Sequence, residues 1–442
     1  MKNSFKALAV IAAAGFTFAA KSQVIELSLN EAVSLSAKGN RQIQSSRIEK
    51  KKSEEFAMEM RSYLKPGVSA SGSYTFFAER PVIFLREESS GKSQVNDVQI
   101  GGRNAFAASI TGQYPIYNPL SQGKIQLANI QSELLDEKTN ELAKSVALKT
   151  GELYLTILLY REQMIHLQNS KSRNEQSLKD SRMLFLQGKG LKTDTLSNYI
   201  AVQNLAGAIF NLGIQIEAAT LRLKQLLGVS EEVEIILTDK LGVQENPVLF
   251  QTPDTLRSIA LANRSDVKLQ QLQAQYHEQE LETARSEFKP QLSAFAQYQL
   301  QSQSDRFSFW KYQVPRTSFV GLLLSIPIYS GGRQKHKEAQ INYSQQQNRI
   351  SLQEIERQVH TEIAVLKAEL EDAYQQKKTQ EKNVEAAQVN YAMYQERYQY
   401  GLSTRLELTD AELALTQAKI NHVQAIYRIR LKQLQLDNVL GY

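Results

Sequence analysis

Ser62–Tyr74 reads SYLKPGVSASGSY, and Ser286–Tyr298 reads SEFKPQLSAFAQY, 224 residues further on. Arg61, Ser62, Lys65, Pro66, Ser69, Ala70 and Tyr74 all recur identically at that offset. Beyond the proline the residues alternate. Val68, Ala70, Gly72, Tyr74 and Phe76 interleave with Ser69, Ser71, Ser73, Thr75 and Phe77, a period of two that specifies a strand with one apolar and one hydroxylated face. Phe106, Ala108, Ile110, Gly112 and Tyr114 alternate in the same way with Ala107, Ser109, Thr111 and Gln113. The second copy supplies Leu292, Ala294, Ala296, Tyr298 and Leu300 against Ser293, Gln297 and Gln299, followed by Phe319 to Ile328, which is apolar on both faces. Four strands are therefore expected, at about 67–79, 104–116, 291–303 and 317–328.

Outward from these strands the repeat continues. Pro115, Ile116 and Tyr117 pair with Pro327, Ile328 and Tyr329 at an offset of 212, and Gly188 pairs with Gly401 at 213. All nine prolines fall at 66–119, 247–253 and 290–327, leaving 120–246 and 328–442 free of the residue that breaks helices. Apolar residues there recur at heptad-like spacing, as in Ile130, Leu134, Leu142, Val146, Leu153 and Ile157. Each copy thus reads as helix, two strands, a very long helix, a glycine-marked tip and a helix. The predicted helices span about 29–64, 119–186 and 193–228, then 254–288, 332–399 and 405–440. The domain plan is a first repeat at 23–229, a linker or equatorial segment at 230–253, and a second repeat at 254–442.

Lys2 and Lys6 precede an apolar run from Ala7 to Ala20, with Ala20 and Ser22 placed for cleavage before Gln23. Residues 1–22 are therefore expected to be a secretory signal peptide. Losing Lys2, Lys6 and Lys21 takes the formal charge from +6 to +3, which gives no support to nucleic-acid binding. The chain contains no cysteine, so neither disulfides nor a lipid-bearing N-terminal cysteine is available. No later stretch reads as a transmembrane helix, so membrane crossing falls to the strands.

Strands of about ten residues with one apolar and one polar face suit a barrel with lipid outside and water inside. An open sheet edge is not tolerated in hydrocarbon, and four strands cannot close a useful pore. Several copies must share one barrel, and three would give twelve strands. The connections near 79–103 and 303–316 carry Arg80, Arg86, Glu87, Glu88, Lys92, Asp305, Arg306 and Lys311, as water-exposed loops should.

Tandem copies, paired strands between helices, and above all YQYGLSTRLELTDAELAL at Tyr398–Leu415, resemble the TolC-like outer-membrane efflux protein family over residues 29–442. The resemblance implies a mainly α fold with a small transmembrane β part: a trimer whose 12-stranded β-barrel continues into a long α-helical barrel. It implies an outer-membrane efflux duct with a periplasmic extension in a Gram-negative envelope. A periplasmic adaptor and, through it, an inner-membrane transporter would be its partners, besides outer-membrane lipid. By the same resemblance the tips close the periplasmic entrance. Glu407 and Asp410, three apart on one helix face, would ring the constriction; Thr193 and Asp194 are their first-copy counterparts, and Tyr398 would join the closing latch by hydrogen bonding. Gly188, Gly190, Gly401, Leu402 and Ser403 would present the adaptor-docking tips. Lys189 stands where that family usually has an apolar residue, and Ser403 replaces a basic one. Acids in a first helical turn also suit the helix dipole, and Asp194 suits a cap, so two roles stand for them.

No enzyme is expected. His166, His277, His336, His360 and His422 are scattered without metal spacing, and neither a GxxxxGK[ST] loop nor a GxSxG elbow is present, so no cofactor and no metal are anticipated. Two other functional classes share parts of this pattern. An exit duct for secreted polypeptides would have the whole architecture, and a soluble periplasmic coiled-coil adaptor would have only the helices.

Overall fold

The computed structural model describes residues 24–89, 92–243, 252–307 and 314–442. The expected signal peptide, residues 244–251 of the linker, and Lys311 lie outside the described residues. The chain divides into two units. One comprises Lys144–Phe250, Val365–Asn438 and the N-terminal part through Arg41; the other comprises Gln42–Ala143, Gln251–Ala364 and Val439–Tyr442.

The elements follow the repeat. The first copy has α1 (Leu29–Gly39), α2 (Arg41–Ser62), β2 (Gly67–Phe76), β5 (Asn104–Tyr117), α3 (Pro119–Leu186) and α4 (Lys192–Leu227). The second has α5 (Pro253–Asn263), α6 (Ser265–Ser286), β7 (Gln291–Ser304), β8 (Arg316–Ser325), α7 (Arg333–Gln399) and α8 (Arg405–Val439). Four further strands are β1 (Val24–Leu27) ahead of α1, β3 (Val82–Ser89) and β4 (Lys92–Gln99) between β2 and β5, and β6 (Glu234–Leu237) between the copies. α3 and α7, of 68 and 67 residues, are single helices, as proline-free stretches of Gln, Glu, Lys, Leu and Ala allow.

The first helix of each copy is broken where the sequence reads as continuous, at Asn40 and at Arg264, which correspond at the 224 offset. The cause is tertiary. Gly228, left-handed at φ +69°, ends α4 against Gly39 so closely that a Cβ on either would overlap the other segment's backbone. Asn40 donates from Nδ2 to the Leu226 carbonyl at 3.1 Å. In the second copy Gly441, at φ +86°, closes in the same way on Asn263. There Arg264 holds both oxygens of Asp266, at 3.0 and 2.7 Å, and Glu362 at 2.6 Å.

In the first unit, β1 pairs in parallel with β6, Val24 opposite Glu234 and Leu27 opposite Leu237. Neither four-residue strand was legible in the sequence, and β6 lies within the segment expected to be a linker. Ser28 and Glu31 form a capping box at α1, with Glu31 Oε2 accepting from the Ser28 N–H at 2.8 Å. Beneath the two strands Tyr154, Leu223 and Leu227 are fully buried, each contributing about 1.5–3 kcal/mol by leaving water. The Tyr154 hydroxyl lies 2.9 Å from the Leu27 carbonyl and 3.0 Å from the Asp239 carboxylate, and burial pushes its pKa up to about 12.

In the second unit the four long strands form one antiparallel sheet in the order β2-β5-β7-β8. Register keeps the two faces apart. Val68, Gly112, Ala296 and Val320 lie in one cross-strand row, and Ala70, Ile110 and Tyr298 lie in the next row of the same face. The opposite face carries rows such as Ser71, Ser109, Gln299 and Thr317, with the Ser71 and Ser109 hydroxyls 2.9 Å apart. On the otherwise polar side Phe319 of β8 packs edge to face with Phe295, centroids 6.0 Å apart. The 79–103 connection is not a plain loop, since β3 and β4 pair within it as a hairpin, Val82 opposite Gln99.

One sequence expectation is corrected. Among the described residues α4 is long and apolar enough to cross a membrane by length and composition. Thr195 to Ile216 contains no charged residue, and the Asn and Gln interspersed with its Leu, Ile and Ala hide this from the eye. α4 nonetheless buries Val202, Leu205, Leu212 and Leu223 against other protein elements.

Candidate gate at the helical tips

Both tips are built by the same backbone device. At the end of α3, Gly188 is left-handed at φ +70°, its N–H bonds the Phe185 carbonyl at 3.0 Å, and Lys189 N–H bonds Leu184 at 2.9 Å. At the end of α7, Gly401 is at φ +72°, with bonds to Tyr398 at 3.0 Å and from Leu402 to Arg397 at 2.8 Å. These are paired Schellman closures, which need a residue without a Cβ penalty at the left-handed position. Gly190 serves a different need, because a Cβ there would sit 3.0 Å from that of Leu184. Ser403 donates to the Tyr394 carbonyl at 3.3 Å, and the Leu402 carbonyl accepts from Arg397 at 3.2 Å, so the α7–α8 turn is fixed on both sides.

Of the acids expected at the gate, Asp194 and Glu407 stand in first turns. Glu407 closes a capping box on α8: its Oε2 accepts from the Thr404 N–H at 2.7 Å and hydroxyl at 2.9 Å, and Thr404 Oγ1 accepts from Glu407 N–H at 3.3 Å. Those bonds hold the Glu407 carboxyl below its ordinary pKa of 4.5. Asp410 follows one turn later, and both are exposed. Asp194 lies in the first turn of α4, whose N-cap, Leu191, offers no side-chain bond, and Thr193 beside it is exposed. Among the described residues no hydrogen bond joins Tyr398 to Thr193 or Asp194. Tyr398 instead stacks beneath the Arg405 guanidinium, 5.4 Å from ring centroid to Cζ.

That arginine opens onto a buried polar ladder which sequence reasoning missed. Arg405 is 8% exposed, and its Nε donates to Asn198 Oδ1 at 2.9 Å. Asn198, fully buried, donates to the Ser177 carbonyl at 3.1 Å and lies 3.0 Å from Ser181 Oγ, joining α8, α4 and α3. Two turns further along α8, Glu412 is 4% exposed. Its Oε1 takes Ser170 Oγ at 2.8 Å and Arg173 Nη2 and Nε at 2.8 and 3.1 Å, and its Oε2 takes Asn174 Nδ2 at 3.0 Å. Arg173 also lies over the Tyr391 ring of α7, at 6.0 Å. Glu412 thus ties α8 to α3 and Arg405 ties α8 to α4 near the tips, and losing one partner of a buried ion pair typically costs about 3–5 kcal/mol. The clue was present in the sequence: Arg405, Leu408, Glu412 and Leu415 share one core stripe, and a charge in such a stripe demands a partner.

The outer membrane efflux protein family matches residues 256–442, which begin within α5 and run through the α7–α8 tip to the last residue. Over that stretch the chain is similar to the outer membrane efflux protein family. The alkaline protease secretion protein AprF of Pseudomonas aeruginosa is 22% identical over 343 residues, covering 76% of this chain and 70% of AprF. Among solved structures, the outer membrane protein VceC of Vibrio cholerae is similar with a TM-score of 0.71 at 15% identity, over 93% of this chain and 96% of that one. The CmeC outer membrane channel of Campylobacter jejuni gives 0.73 at 15% identity, over 93% and 85%. The neighbours by family and by fold are outer-membrane channels and not enzymes, which supports an outer-membrane exit duct with a periplasmic extension and this TolC-like fold. Such a duct works as a trimeric assembly with partner proteins.

Proposed function

We propose that three copies of this chain close their sheets into one barrel of twelve strands, and that the long helices of both repeats, 23–229 and 254–442, form the periplasmic tunnel. The duct carries small molecules, namely drugs, toxic compounds or metal ions, from periplasm to exterior. The observation that carries this reading is the four-stranded sheet with one apolar face, one polar face and two open edges, which only sister copies can complete in lipid. In this reading a periplasmic adaptor docks on Gly188, Gly190, Gly401, Leu402 and Ser403, and couples the duct to an inner-membrane transporter. Asp194, Glu407 and Asp410 line the closed throat beside Thr193, with Tyr398 packing behind them on Arg405. From three copies Glu407 and Asp410 bring six carboxylates to that throat, a field that favours cations. Glu407→Gln with Asp410→Asn is expected to weaken cation preference and multivalent-cation block in planar bilayers, and unchanged selectivity removes both residues from the gate.

Similarity to AprF, a protease secretion protein by name, favours a second cargo class, exported polypeptide. A deletion strain separates the two: sensitivity to drugs, dyes or metals marks efflux, and loss of a secreted protein marks secretion.

A further inference from the structure

α8 is bonded both to α7 and to α3, and the charges on the two seams differ. Toward α7 they form a ladder of one sense, cation on α8 and carboxylate on α7: Lys432 with Glu369 at 2.7 Å, Arg428 with Asp372 at 3.8 Å, and His422 Nε2 with Glu381 Oε1 at 3.8 Å. Only the last cation is conditional, since an imidazole gains or loses its charge at mildly acidic to neutral pH. His422 Nε2 is buried and has no hydrogen bond among the described residues, while Glu381 Oε1 accepts from Lys377 Nζ at 2.7 Å. The third rung is therefore built but lacks its full charge until His422 binds a proton.

Toward α3 the balance is reversed. The seam is joined at Thr156 Oγ1 and the Tyr427 hydroxyl, 3.2 Å apart, and again at Ser170 and Glu412. Between those points lies His166 of α3, half-buried, with Lys419 and His422 acting on it from α8, and Glu162 and Arg173 from its own helix. α4, which approaches α3 where Gly213 nears Met164, carries no charged residue from Thr195 to Ile216. We infer that His166 and His422 form a proton-operated switch that transfers the hold on α8 from α3 to α7 as pH falls. A proton on His422 completes the third rung and draws α8 to Glu381. A proton on His166 sets a cation against Lys419 and charged His422, and drives α3 and α8 apart. Burial first, and Lys419 next, hold His166 below its ordinary pKa of 6.5. A base depressed in this way resists its proton in the packed state, so the α3–α8 contact has full strength above pH 6.5 and loses it as pH falls through the lower folded value. Glu412 stands ten residues nearer the tip than His422, about 15 Å along α8, so the loosened stretch adjoins the buried ladder. The device lies within one copy and operates whatever the cargo.

Amide exchange of the detergent-extracted protein at about pH 7.5 and about pH 5.5, corrected for the intrinsic pH dependence of exchange, tests both halves. Acidification is expected to quicken exchange over residues 160–168 of α3 by about three- to tenfold and to slow it over 377–385 of α7. His166→Gln should abolish the α3 response and keep that of α7, and His422→Gln should abolish the α7 response. A parent protein with no pH response at either stretch, or a His166→Gln variant that responds at α3 like the parent, overturns the switch. A second measurement needs no variant: the pH dependence of hydrogen exchange at the imidazole C2 of His166, read by mass spectrometry on the parent protein. Its midpoint is expected below 6.5, and a midpoint at or above that value overturns the role of His166.

Discussion

Replacing Glu412 by Gln removes a charge from the buried ladder while nearly preserving its shape. The carboxylate collects bonds from Ser170, Arg173 and Asn174, and its own side chain is only 6% exposed. Breaking such a pair from one side costs about 3–5 kcal/mol when the surviving ion is fully buried. Arg173 retains 30% side-chain exposure, so water recovers part of its solvation, and a loss of about 2–3 kcal/mol is the better figure. The effect is local, because this ladder joins α8 to α3 and α4 near the tip. Amide exchange of the extracted trimer should therefore quicken by about 30- to 150-fold over residues 405–416, at about 1.4 kcal/mol per tenfold. Asp410→Asn, an exposed neutralisation two residues away, serves as the control and should leave exchange there nearly unchanged. Wild-type protection in Glu412→Gln, with the trimer intact, would refute the idea that this carboxylate holds the tip helices together.

Gly188→Ala and Gly401→Ala place a Cβ in the left-handed region at φ +70° and +72°, so each should destabilise its tip by about 1–2 kcal/mol, and Asn by less. Exchange rates of the closing amides, those of Lys189 and Leu402, report the loss. The Glu407 cap should be acid-sensitive. A carboxyl held below its ordinary value of 4.5 gives its full stabilisation above that pH and loses it as pH falls through the lower folded value. Tip exchange measured down the acid limb should show this dependence in the parent protein and lack it in Glu407→Gln.

The strands were legible because a period of two survives any tertiary context in which one face meets lipid and the other water. Gly67, Asn104, Gln291 and Arg316 each begin within a residue of the expected positions. The long helices were legible because proline is absent from them. What escaped depends on partners remote in sequence. Asn40 and Arg264 are ordinary helical residues, and the breaks there come from Gly228 and Gly441 docking against them. β1 and β6 are too short to show a period, and each is a strand only because of the other. At the tips the sequence placed Asp194 and Glu407 in first turns, but did not show Glu407's bonds to Thr404 or the packing of Tyr398 on Arg405.

The pairing of β1 with β6 bears on how the chain is made. Leu29 donates to the Asp239 carboxylate at 2.7 Å across 210 residues, and the strand just ahead of it has no other ladder partner among the described residues. During export the leading segment therefore emerges without its mate and must wait while almost the whole first repeat is threaded after it. Contacts of such long range close slowly, and edges left bare meanwhile invite mispairing. A newly made copy thus carries an unpaired edge at its beginning until its own middle arrives to receive it.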